Sequence, residues 1–319
     1  MAKPKLALYW AASCGGCEIA VLDIEDKILD VANFFDIVFW PCATDFKYSD
    51  VEAMPEKSID VCLFNGAIRT SENERLAKLL REKSKVLVAF GSCAHEGCIP
   101  ALANVSNREG IFTTAYLESP STENEKKTLP LTKNSLPEGD LELPEFWNTV
   151  KTLDQVVSVD YYVPGCPPQS TQIWAVLDTI IQGKTLPPPH SILGAGEKTC
   201  CDECPRERKE KKIKHFYRPF EIETDPEQCL LDQGVICLGP ATRSGCGALC
   251  PKANIGCRGC YGPAPNTIDQ GAKMISALSS VVDAQDPAEV ERIIGQIADP
   301  LGTFYRFGLA HSSLRRTGV

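Results

Sequence analysis

No run in the sequence approaches the roughly 18 to 20 uninterrupted apolar residues of a membrane-spanning helix, so no membrane span is expected. Positive charge is in deficit. Lys and Arg number 33 against 42 Asp and Glu, a net charge of −9, which excludes the basic footprint of a nucleic-acid backbone binder. Neither a Walker phosphate loop nor G-x-G-x-x-G is present. After Met1-Ala2-Lys3-Pro4-Lys5 the apolar stretch Leu6 to Trp10 is too short for a signal peptide, and no twin-arginine signal precedes it. The expected location is the cytoplasm.

What the sequence does hold is sixteen cysteines in 319 residues. Disulfides belong mostly to small domains in oxidising compartments, whereas this chain is long enough for a large core and for two domains. The cysteines therefore read as metal ligands.

Residues 1–189 alternate apolar runs with helical patterns. Lys5 to Trp10, Asp36 to Pro41, Val61 to Asn65, Lys85 to Phe90 and Val159 to Val163 are apolar almost throughout, as parallel strands covered on both faces are. Helical spacing appears in Val21, Ile24, Ile28 and Val31, over Glu74 to Lys83, and over Gln172 to Gln182, where Ser170 or Thr171 is placed to cap. The alternation predicts a flavodoxin-like, doubly wound α/β domain. Glu118 to Pro144, polar and proline-rich, reads as a long surface excursion.

Leu186-Pro187-Pro188-Pro189 marks the boundary with a smaller domain, 190–319, of few regular elements. Nine cysteines fall between Cys200 and Cys260 with little apolar periodicity, so this domain is expected to need metal to hold it. Asp286-Pro287-Ala288-Glu289 reads as a helix start, followed by an apolar face of Val290, Ile293, Ile294 and Ile297. The tail Ser313 to Thr317 reads as a partner contact or a frayed end.

Ligands of parallel α/β sheets bind beyond the carboxyl ends of the strands. Three such ends carry cysteines: Cys14-Gly15-Gly16-Cys17, Gly91-Ser92-Cys93, and Pro164-Gly165-Cys166-Pro167-Pro168. Four thiolates on one rim suit an iron–sulfur cluster or tetrahedral zinc, and adjacent glycines let the backbone approach a bulky inorganic core. A redox dithiol of Cys14 and Cys17 is the rival, but it leaves Cys93 and Cys166 unexplained. The second domain offers Cys201, Cys204, Cys229, Cys237, Cys246, Cys250, Cys257 and Cys260, enough for two four-thiolate sites. Zinc ribbons are the alternative there, with spacings that fit poorly.

With these motifs in this order, residues 5 to 265 resemble the small, electron-transferring subunit of nickel–iron hydrogenases. Within that family the resemblance is to the methyl-viologen-reducing, deazaflavin-non-reducing type that docks to heterodisulfide reductase in methanogenesis. It implies three [4Fe-4S] clusters: a proximal one on Cys14, Cys17, Cys93 and Cys166, a distal one on Cys201, Cys204, Cys229 and Cys237, and a medial one on Cys246, Cys250, Cys257 and Cys260. It places the nickel–iron centre in a partner large subunit only, and implies an acceptor subunit with its own iron–sulfur groups. Related readings are a deazaflavin-reducing hydrogenase and a quinone-reductase cluster subunit, the latter without the second cysteine-rich domain. From another class, a zinc-stapled structural protein would use the same thiols.

Four cysteines remain. Cys62 reads as a small hydrophobe inside a strand. Cys42 and Cys98 lie near the rim, where Cys98 competes with Cys93 as ligand; Cys200 competes with Cys201. Glu18 is either a proton relay or an acid favoured by the helix dipole. His95 and His215 are not expected to be ligands, and Arg206 to Lys214 reads as a solvated face or docking rim.

Overall fold

The computed structural model describes residues 3–209 and 212–314. The continuous apolar runs become strands β1 (Lys5–Trp10), β2 (Asp36–Phe39) and β3 (Ile59–Asn65), and, after a short β4 (Ile68–Thr70), β5 (Ser84–Phe90). β6 (Lys133–Leu136), β7 (Gly139–Glu142), β8 (Phe146–Lys151) and β9 (Tyr161–Val163) follow. The main sheet has the order β2-β1-β3-β5-β9 with every pair parallel, the flavodoxin-like arrangement expected.

The central strands of this sheet are buried on both faces, their successive side chains pointing into opposite layers. Leu6, Leu8, Leu63, Val88 and Val163 meet the helices Gly16–Leu22, Lys27–Phe34 and Ser170–Ile181 on one side. Ala7, Tyr9, Cys62, Phe64 and Leu87 meet Leu76, Ala77 and Leu80 of the helix Ser71–Lys83 on the other. Cys62, fully buried, behaves as the small hydrophobe its strand position suggests.

Several local expectations change. The spacing from Val21 to Val31 is carried by two helices, with Glu25 between them at φ 62°. Neither Ser170 nor Thr171 caps its helix: the N-cap is Gln169, with no side-chain bond, and both candidates lie inside the helix. The excursion contains an exposed hairpin, β6–β7, while β8 pairs antiparallel with β4 at its downstream end. After the prolines the chain stays beside the sheet, where the Leu193 amide donates to the Tyr162 carbonyl at 2.7 Å.

Beyond residue 195 regular structure is sparse, with four-residue helices at Cys200–Glu203 and Leu249–Lys252. Its apolar core comes largely from later helices: Met274 and Leu278 of Gln270–Ser279, Ile293 of Pro287–Ile294, and Phe304 pack under Leu230, Leu238, Cys237 and Cys257. Asp286 caps the second of these helices by accepting from the Glu289 amide at 3.0 Å, although Ile294 is exposed. Ser313 is tied to Asp269, its amide donating at 2.9 Å; Arg315 to Thr317 of the predicted tail, and Glu210 and Lys211 of the charged run, lie outside the described residues. Among the described residues no helix is long and apolar enough to cross a membrane.

The helix Ser71–Lys83 starts at a capping box, in which Thr70 Oγ1 accepts from the Asn73 amide at 3.3 Å and Asn73 Oδ1 accepts from the Thr70 amide. Thr70→Ala is expected to cost about 1 kcal/mol. Thermal unfolding checks this, with a loss of about 2–4 °C expected for a chain this large.

Candidate metal centres

The first set of thiols is built by three strand ends. After β1 the chain turns through Ser13–Cys17 into a helix; after β5 it turns at Gly91 into the helix Ser92–Glu96; after β9 it passes Gly165 to Cys166. Backbone bonds lace the last two together, from Gly91 N to Val163 O and from Ser92 N to Gly165 O, both 2.8 Å. Gly91 has φ 82°, and a Cβ on it would lie 2.4 Å from Cys17 Sγ, so the backbone forms the wall against which that sulfur rests. Cys17 and Cys93 are buried, whereas Cys14 and Cys166 are exposed. Burial, then the neighbouring Cys166 and Cys14, push the Cys17 thiol well above its usual range.

Cys98 is a fifth thiol at this rim. Its Sγ lies 3.7 Å from Cys166 Sγ, and its side chain also bonds that of Cys93, so the structure sets it beside both. The exposed Cys42 is in the field of Glu18. Glu18 itself lies in the first turn of its helix, but its carboxylate is buried, accepting from Trp40 Nε1 and from Asn65 Nδ2 at 3.4 Å; burial raises its pKa.

The second and third sets are contiguous with the first. Cys260 packs against Cys93, Cys98 and Phe307, its carbonyl accepts from Ser92 Oγ, and its thiol is pushed up by burial and then by Cys257, Cys246 and Cys166. Cys250 is raised by burial and by the same Cys257 and Cys246. The loop bearing Cys246 is held by Glu203, whose carboxylate accepts from Gly245 N at 2.9 Å and Gly247 N at 3.0 Å. A bond from Cys200, and then the amides of Leu249 and Ala248, hold the Cys246 thiol below its usual range.

Cys201, Cys204, Cys229 and Cys237 line one cavity with Arg206, Arg208 and Gly239. A Cβ on Gly239 would lie 2.9 Å from Cys201 Sγ and 3.6 Å from Cys237 Sγ. Cys200, fully buried, also lines this cavity while bonding Cys246 and Cys257, and Cys237 Sγ accepts from the Cys257 amide at 3.2 Å. These contacts join the second and third sets. Among the described residues, no three His, Cys, Asp or Glu side chains converge as ligands of a single ion. The buried His95 lies 3.2 Å from Glu96, and His215 bonds Gln296.

Arg206 corrects the reading of its charged run as solvated. It is buried, with Nε donating to Pro251 O at 2.9 Å, Nη1 to Asp225 O at 2.8 Å and Gln228 O at 2.9 Å, and Nη2 to Asn254 Oδ1 at 2.7 Å. It thus clamps the residues before Cys229 to those after Cys250.

The family model for "NADH ubiquinone oxidoreductase, 20 Kd subunit" matches residues 14–180, which include the first thiol set and exclude the other two. A curated relative, the iron-sulfur subunit of the F420-non-reducing hydrogenase of Archaeoglobus profundus, is 42% identical over 318 residues, 98% of each chain. This chain belongs to the family of F420-non-reducing hydrogenase iron-sulfur subunits. The corresponding hydrogenase subunit of Methanothermobacter marburgensis is 37% identical, over 96% of this chain and 94% of its own. The family makes the chain a hydrogenase subunit and so part of an oxidoreductase. Its fold is shared with the [NiFeSe] hydrogenase of Desulfovibrio vulgaris Hildenborough, at TM-score 0.50 and 17% identity over 82% of this chain and 94% of that one.

Proposed function

We propose that the chain is the electron conduit of its hydrogenase, working between a hydrogen-oxidising large subunit and an acceptor subunit of the heterodisulfide-reductase type in the cytoplasm. The observation that carries this reading is the succession of the thiol sets: the rim packs on Cys260, Cys260 lies in the field of Cys246 and Cys257, and Cys200 and Cys237 join these to the far cavity. The donor set is entirely sulfur, with Gly91 and Gly239 leaving backbone beside it, and it fits groups held by thiolates.

In this reading Cys14, Cys17, Cys93 and Cys166 hold a proximal [4Fe-4S] cluster, Cys246, Cys250, Cys257 and Cys260 a medial one, and Cys201, Cys204, Cys229 and Cys237 a distal one. When bound, such clusters supply one-electron carriers whose potentials follow burial and hydrogen bonds to sulfur. Residues 1–189 present the exposed Cys14 and Cys166 toward the large subunit, and 190–319 carry the other two sets. Cys98 and Cys200 stand beside the ligands and donate hydrogen bonds to them. Glu203, Arg206 and the amides around Cys246 orient the loops and exclude water.

The test is metal content with low-temperature electron paramagnetic resonance on anaerobically purified protein, before and after dithionite. About twelve irons per chain with reduced four-iron signals are expected. About four irons would reduce the reading to the first set alone, and zinc without iron would overturn it.

A further inference from the structure

We propose that a cleft beside the first thiol set binds a small molecule that joins an oxyanion, a carboxylate or phosphate, to a flat apolar body. The cleft, about 950 Å³, lies between the downstream end of β1 and the excursion after β5, a size ordinary for small-molecule sites. At its wall stands Arg69 of β4. The residue is 6% exposed, and neither Nη1 nor Nη2 has a hydrogen-bond partner.

A buried charge without a partner is costly, and a guanidinium is not relieved by losing its proton near neutral pH: burial lowers the Arg69 pKa only to about 10. One face of the guanidinium is covered by the Phe146 ring, 3.9 Å from its centroid. The Nη edge, which the surrounding side chains close off from water, is what remains for a partner; a turn of the guanidinium toward the cleft would bring it to an occupant, and its two parallel N–H groups match a carboxylate or phosphate.

The groups already in the cleft do not supply that partner. Asn73 Oδ1 is engaged by the amides of Arg69 and Thr70 at 3.2 Å. Glu72 and Glu109 line the cleft without bonding Arg69, and Arg108 is held by the Phe146 carbonyl at 3.2 Å and by Glu145 at 3.5 Å. The wall also carries the rings of Tyr9, Trp10, Tyr48, Phe112 and Tyr116 beside leucines and prolines of the excursion, an apolar lining that suits a flat ring. Trp10 also donates from Nε1 to Ser13 O at 3.1 Å, so an occupant would touch the residue that braces the Cys14–Cys17 turn.

The probes are 2-naphthoate and its neutral counterpart 2-naphthamide, measured by anaerobic equilibrium dialysis against the hydrogenase complex containing the full chain. The expected result is one saturable naphthoate site per chain, at least about tenfold tighter than naphthamide, with inorganic phosphate competing. Arg69→Gln should remove the preference, whereas Phe112→Ala should weaken both probes and keep it; the second variant serves if the first does not fold. Equal binding of the two probes, or a preference that survives Arg69→Gln, overturns the proposal. So does absence of saturable binding to the complex.

Discussion

Gly91→Ala is expected to remove the proximal cluster, lowering iron by about four atoms per chain and hydrogen-dependent dye reduction by the assembled complex about 10- to 100-fold. Two effects combine at this residue. Its φ of 82° is strained for alanine, and the added Cβ would meet Cys17 Sγ at 2.4 Å. The backbone has little room to yield, because Gly91 N is bonded to Val163 O and Ser92 N to Gly165 O. Gly139→Ala is the control: it also replaces a glycine of positive φ, but in the exposed hairpin with nothing within 4 Å, and should leave iron and rate unchanged. Full iron content and rate in the Gly91 variant would refute the placement of Cys17 as a ligand against this wall.

Arg206→Ala should destabilise the cysteine-rich region by roughly 3 kcal/mol or more, since it deprives three carbonyls and Asn254 of a charged donor at once. Thermal unfolding of the anaerobic protein should begin about 6–12 °C lower. Iron should fall by about eight atoms while the proximal signal persists. Arg206→Lys should recover only part of this, because an ammonium cannot reach the same acceptors with a planar fork. An unchanged midpoint would show that the clamp between the Cys229 and Cys250 segments contributes nothing to holding them.

Apolar runs such as Leu6 to Tyr9 and Val61 to Phe64 were legible as strands because a parallel strand covered on both faces has no polar side to hide it. β4, three residues long, offers no such run, and the fully exposed β6–β7 hairpin has no buried face to impose alternation. The Gln169 cap was missed for a different reason: Ser170 and Thr171 have capping chemistry, but the chain enters the helix one residue earlier. At the sites, cysteine spacing carried nearly all the information. Arg206 and Arg69 look alike in sequence, yet one is saturated by acceptors at 225, 228, 251 and 254 and the other has none at its Nη atoms. Which of the two an arginine becomes depends on distant segments, and a local charge pattern has no access to them. Cys98 was ambiguous for the same reason, its neighbour Cys166 being 68 positions away.

The rim around Cys93 is closed from the far end of the chain. Cys98 N donates to Phe307 O at 2.9 Å, Phe307 packs on Cys93 and Cys98, and Gln155 Nε2 donates to Ala310 O at 2.8 Å. During synthesis, therefore, Cys93 and Cys98 exist long before the segment that covers them. At ~5–20 residues per second the interval is on the order of ten seconds. For that interval these two sulfurs lack the ring that covers them, and the site is closed only when the chain is nearly complete.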